Sequence, residues 1–199
     1  MKPHPSVHSR WATPHGVGAD RHDRDGVRHG TGAVRKAVGT LLQSARRYAG
    51  TIFSPGVLPG TTRGVLEKPV KLKAYIVEDN ATIRENLVGT LEELTCIEPV
   101  GYAETESGAV LWFSTNADQW NLAIVDLFLR QGSGLGVLQA LTQRRADQKV
   151  VVLSNYATPD IRKRCAQLGV DAVFDKSNEI DALLDFCIQQ SSQPDAAAP

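Results

Sequence analysis

The stretch "AIVDLFLRQGSG", residues Ala123–Gly134, sets one carboxylate, Asp126, at the end of an apolar run with a glycine-rich turn directly behind it. The run is too short for a typical helix and too apolar for a surface loop, which predicts that Asp126 stands at the carboxyl end of a buried strand. Similar runs occur on both sides of it: "LKAYIV" (72–77), "IEPVGYA" (97–103), "LAIVD" (122–126), "KVVVLS" (149–154) and "VDAVF" (170–174). Segments of helical composition lie between and after them, over 81–94, 107–116, 135–145, 159–168 and 179–189. Five strands alternating with five helices predict an α/β fold, a parallel sheet with helices on both faces.

In open sheets of this kind, function collects at the carboxyl ends of the strands. The first run ends in Glu78 and Asp79, the third in Asp126 and the fourth in Ser154, and Lys176 follows the fifth. Three carboxylates brought together repel one another unless a cation neutralises them. Mg2+, which takes oxygen ligands from one or two carboxylates together with waters and a phosphate oxygen, is the natural solution, and it points to phosphoryl chemistry. Asp126 is then a candidate nucleophile. Singly, the acidic pair could complement a helix dipole, Ser154 could cap the next helix and Lys176 could be a solvated turn lysine. No structural rule demands the whole set at successive strand ends.

The net charge of zero conceals an uneven distribution. Residues 1–70 hold 11 Lys and Arg against 4 acids, whereas residues 71–199 hold 11 against 18. All five histidines and 10 of the 17 glycines also lie in the first 70 residues. Residues 1–32 have no sustained apolar period and read as disordered. Residues 33–53 place Val34, Val38, Leu41, Leu42, Ala45, Tyr48 and Ile52 at near-helical spacing among arginines, which is the pattern of a short basic amphipathic helix. Such a helix suits an anionic membrane, nucleic acid or organelle targeting, or it is a marginal helix on a disordered arm. "SPGVLPGTTRG" (54–64) reads as a linker. The expected organisation is a disordered extension over 1–69, one domain over 70–190 and a disordered tail over 191–199. Residues 1–68 are expected to be dispensable for folding. Three cysteines without C-x-x-C spacing (Cys96, Cys165, Cys187) argue against a disulfide framework or a zinc site. No stretch approaches the roughly 20 consecutive apolar residues of a membrane span.

Residues 71 to about 190 resemble a response-regulator receiver domain of two-component signalling, of the stand-alone type. "YIVEDN", "AIVDLFLRQGSG", "VVLSNYA" and "VFDKS" match the family's acidic pair, phosphoacceptor strand, hydroxyl strand and lysine strand in order, and Gly134 fits its loop glycine. The resemblance implies a flavodoxin-like sheet with strand order 2-1-3-4-5. It implies that Asp126 is phosphorylated by a histidine kinase or phosphotransfer protein, and that Glu78, Asp79, Asp126 and the backbone carbonyl of Phe128 hold Mg2+. Lys176 would pair with the phosphoryl oxygens, and Ser154 would move to hydrogen-bond one of them. A cytoplasmic signalling switch that acts through protein contacts is the expectation. It is not expected to be an enzyme, and its receiver domain is not expected to bind nucleic acid.

Three positions depart from the family pattern, one of them Ser177, which follows Lys176 where a proline is common, so that no cis peptide is expected there. Val173 stands where an aromatic switch residue is usual, with Phe174 one step later and on the opposite side of the strand. Asn155 follows Ser154 where a small residue is preferred, and can obstruct the phosphoryl group or hydrogen-bond to it. Two alternative readings are the receiver part of a DNA-binding transcriptional regulator and an aspartate-nucleophile phosphohydrolase. The second needs an acid two positions after the nucleophile, where this chain has Phe128.

Overall fold

A computed structural model describes residues 30–51 and 71–191. Of the disorder expected over 1–32, residues 1–29 lie outside the described residues, while α1 starts at Gly30; the linker 54–64 and residues 192–199 of the tail expected over 191–199 also lie outside them. In chain order the elements are α1 (Gly30–Thr51), β1 (Leu72–Val77), α2 (Ala81–Leu94), β2 (Ile97–Ala103), α3 (Glu106–Thr115), β3 (Leu122–Val125), α4 (Gly134–Ala140), β4 (Lys149–Ser154), α5 (Pro159–Gln167), β5 (Ala172–Asp175) and α6 (Ile180–Ser191). All strand pairs are parallel, and the sheet order is β2-β1-β3-β4-β5, as the resemblance implies.

Period-two alternation divides each apolar strand between two cores. Ala74, Ile76, Leu122, Ile124, Val151 and Leu153 face a cluster that holds Leu87 and Leu91 of α2 and Leu183 and Leu184 of α6. Tyr75, Val77, Ala123, Val125, Val150 and Val152 face the other cluster, with Phe113 of α3, Val137 of α4 and Cys165 of α5. The three cysteines are free, with Cys165 and Cys187 buried.

Capping residues fix where the helices start. Asn80, Thr105, Ser133 and Thr158 each accept a backbone N–H from the first turn of α2, α3, α4 and α5, and Pro159 opens α5. The helix read over 135–145 stops early, at Ala140. The Leu141 N–H is shared among the carbonyls of Val137, Leu138 and Gln139, which tightens the last turn, and the Arg144 guanidinium then pins the following turn through the carbonyls of Leu141 and Gln148. The last strand begins two residues later than read. Asp171 is drawn instead into bonding Val150 N, at 2.7 Å, and Arg144.

Helix α1 lies against α2 and α6. Its buried face is Ala37, Leu41 and Ser44, at helical spacing, and Leu41 enters the same core cluster as Leu87 and Leu183. Leu42, which the sequence pattern counts with the apolar set, is exposed. Thr40 Oγ1 donates to the carbonyl of Ser177 at 3.0 Å. The expected dispensability of residues 1–68 leaves this contact out of account. Leu41 is 1% exposed, so Leu41→Ala is expected to cost about 3 kcal/mol. A drop of several degrees in the midpoint of thermal unfolding would show it, and an unchanged midpoint would show that α1 contributes nothing to the core.

Candidate functional site

Strand order decides where the site lies. β1 sits between β2 and β3, so the connections leaving β1 and β3 diverge to opposite faces and open a crevice at their carboxyl ends. Glu78 and Asp79 follow β1 into this crevice, and Asp126 follows β3. Each of the three offers a carboxylate oxygen within 4.8 Å of the others. Ser154 ends β4, and Lys176 follows β5.

Lys176 is the pivot of this arrangement. Its ammonium is buried and donates to Glu78 Oε2 at 2.5 Å and to Asp126 Oδ2 at 2.6 Å. Burial acts to lower the lysine pKa, but the carboxylates of Asp126 and Glu78 outweigh it and hold the ammonium above its ordinary value. Burial pushes the Glu78 carboxyl up, against the pull of Lys176 and with the help of Asp126. One ammonium thus serves two carboxylates, and the third is served separately. Asp79 Oδ2 accepts the backbone N–H of Arg130 at 3.1 Å and meets the Arg130 Nε at 3.1 Å.

The loop after β3 is shaped around Asp126. Phe128 N donates to Asp126 Oδ1 at 3.2 Å, and Gly134 N closes the loop onto the Leu127 carbonyl at 3.0 Å. A side chain at Gly134 would overlap the backbone carbonyl of Asp126, which is why the position eight residues after the aspartate is glycine. Gly132 takes φ +84° in the same loop. Glu106, at the start of α3, accepts Ser133 N at 2.7 Å and lies where Gly132 and Gly136 leave room for it.

The Ser154 hydroxyl is buried without a hydrogen-bond partner, and so is Asn155 Oδ1. A buried polar atom without a hydrogen-bond partner is costly to the fold. Val173 and Phe174 face opposite sides of the sheet. Phe174 belongs to the α2/α6 core and contacts Phe186 edge-on, whereas Val173 packs at the margin of the other core. At the mouth of the crevice, the exposed rings of Phe128 and Tyr156 meet with centroids 4.9 Å apart.

Glu78, Asp79, Asp126, Ser154 and Lys176 therefore lie together at the carboxyl end of the sheet. Three contacts around these residues were not foreseen: Glu106 on Ser133 N, across 27 positions of sequence, and two made by arginines. Arg130 pairs with Asp79 across 51 positions of sequence, which no periodicity signals. Arg84, buried in α2, donates to the Glu78 carbonyl at 2.8 Å, pairs with Glu104 at 2.9 Å and lies over the Tyr102 ring. An arginine among the inward positions of a helix was the only available sign of this last contact.

The family described as "Response regulator receiver domain" matches residues 74–187, more than half of the chain. Among characterised proteins, the acid tolerance regulatory protein ActR of Rhizobium meliloti is 32% identical over 71 residues, which span 36% of this chain and 37% of that protein. Among solved structures, a LuxR-family DNA-binding response regulator from Staphylococcus aureus superposes with a TM-score of 0.54 at 19% identity, covering 61% of this chain and 99% of the other. The response regulator domain of Thermotoga maritima CheB superposes with a TM-score of 0.54 at 16% identity, covering 62% and 98%. The signal receiver domain of the putative response regulator NarL from Mycobacterium tuberculosis gives 0.52 at 21%, covering 61% and 98%. No helix among the described residues is long and apolar enough to cross a membrane.

Proposed function

The chain belongs to the response-regulator receiver family, and from that premise we propose that it is a phosphorylation-dependent switch whose phosphoacceptor is Asp126. The observation that carries the reading is the convergence of Glu78, Asp79 and Asp126 around one crevice, with Lys176 bound to two of them. The donor set is all oxygen and doubly charged after Lys176 is counted, which fits a small hard divalent cation. Glu78, Asp79, Asp126 and the Phe128 carbonyl would hold Mg2+, which when bound neutralises charge on the phosphoryl oxygens.

The remaining steps belong to the chain's own side chains. A carboxylate oxygen of Asp126 attacks the phosphorus of a phosphohistidine on a histidine kinase or phosphotransfer protein. The O–P bond forms as the P–N bond breaks, and the electron pair leaves with the imidazole. Lys176 then turns from the Asp126 carboxylate to the phosphoryl oxygens. The unpartnered Ser154 hydroxyl donates to one of them, and Asn155 stands beside it. The added charge and acceptors draw in the loop between β4 and α5, and Tyr156 changes its exposure. Protein partners read the change.

Intact-mass measurement after incubation with a small phosphodonor tests the reading. The protein is expected to gain one phosphoryl group with Mg2+ and none with a chelator; no gain in either would overturn it. Ser154→Ala is expected to fold with unchanged or slightly raised stability, because it removes an orphan hydroxyl, yet to lose most of the amide-shift change at Tyr156 that a beryllofluoride phosphoryl mimic induces in the parent. Equal shifts in the two proteins would exclude Ser154 from the switch.

A second reading, the receiver part of a DNA-binding regulator, is favoured by the Staphylococcus aureus relative, which is a DNA-binding protein. Phosphorylation-dependent retardation of genomic DNA fragments by the full chain would support it over action through protein contacts.

A further inference from the structure

We propose that Arg130 is a built-in counter-ion of the acidic trio, competing with the divalent cation for the Asp79 carboxylate and so setting the cation affinity of the site. This rests on the trio being the cation site proposed above. Lys176 reaches Glu78 and Asp126, and Asp79 is met instead by Arg130, through both its backbone N–H and its Nε at Oδ2. Three carboxylates and one lysine leave a formal charge of −2 in the crevice, and the Arg130 guanidinium reduces it to −1. A divalent cation entering with the guanidinium in place brings the site to +1; with the guanidinium turned away, the charges cancel.

The two contacts of Arg130 can be separated. Its side chain is 76% exposed, so the guanidinium can swing into water with little change in solvation, while the backbone N–H keeps its place. The loop has anchors of its own in the bond from Gly134 N to Leu127 O and in Glu106 on Ser133 N. Removing the side chain therefore changes the charge beside Asp79 without releasing the loop. The same exposure screens the interaction, so the effect on cation affinity is moderate and salt-dependent.

Mg2+ titrations of the full chain, followed by backbone amide shifts at low ionic strength, test the proposal in the parent, Arg130→Ala and Arg130→Lys. Arg145→Ala serves as control, since it removes the same charge from a distant ion pair with Asp118 and Asp147. The Kd of Arg130→Ala is expected to fall about threefold or more, on the scale of a screened charge at close range. Arg130→Lys should fall in between, Arg145→Ala should match the parent, and added monovalent salt should narrow the gap. An Arg130→Ala Kd equal to or weaker than the parent's overturns the proposal, as does an equal tightening in Arg145→Ala. A parent that binds no Mg2+ overturns the cation-site reading together with it, whereas binding that Arg130→Ala leaves unchanged overturns the counter-ion role alone.

Discussion

Replacing Lys176 with methionine is expected to destabilise the fold by about 3 kcal/mol at neutral pH, the scale of a buried ion pair that loses one partner. Methionine keeps most of the volume, so the loss reports charge. Glu78 and Asp126 are both buried, and without the ammonium they repel each other with no donor to either oxygen that Lys176 now binds. The pH dependence follows from the Glu78 carboxyl, which burial already pushes up and which Lys176 now pulls down. In the variant that pull is gone. A carboxyl with a folded pKa above its unfolded value binds more protons when folded, so its favourable contribution is complete below the unfolded pKa and is lost as pH rises through the folded one. The deficit of Lys176→Met should therefore be small in acid and grow toward neutrality, and Mg2+ should recover part of it. Denaturant midpoints from pH 4 to pH 8, roughly spanning the carboxylate and neutral ranges, check this. A deficit independent of pH would mean that packing rather than charge is lost.

The second large effect is on phosphoryl uptake. Asp126→Asn removes the nucleophilic oxygen but keeps the side-chain shape, and Lys176 keeps its bond to Glu78. The variant is expected to fold as well as the parent, because one of two repelling carboxylates has gone, and to take up no phosphoryl group under conditions that modify the parent fully. Comparison of intact masses at matched donor concentration and time decides it. Modification of Asp126→Asn to the parent's extent would move the acceptor elsewhere.

Much of the fold was legible because buried parallel strands leave a simple trace. The strands 72–77, 97–103 and 149–154 coincide with β1, β2 and β4, since each is a short apolar run bounded by polar residues that begin a helix or a turn. What escaped was decided by side chains acting at a distance. α4 ends where Leu141 and Arg144 tighten the chain, and β5 starts late because Asp171 is held by Arg144 and bonded to Val150 N. Neither contact has a period. The helix read over 33–53 has its counterpart in α1, but its inward face runs through Ala37, Leu41 and Ser44 because the partners are α2 and α6, which the local pattern does not contain.

The site divides along the same line. The placement of Glu78, Asp79, Asp126, Ser154 and Lys176 was legible because each falls at a strand end and strand ends converge in this topology. The partners that hold or balance them were not. Arg84 on the Glu78 carbonyl, Glu106 on Ser133 N and Arg130 on Asp79 each join segments that only the folded sheet brings together.

Chemical trapping identifies the phosphorylated residue itself. Borohydride reduces an aspartyl phosphate to homoserine, so peptide mapping after treatment with phosphodonor, Mg2+ and borohydride reads the modified position itself. Homoserine is expected at position 126 and unmodified aspartate at position 79. Homoserine at position 79, or conversion of no aspartate while the intact mass still shows an added phosphoryl group, would contradict the assignment of Asp126.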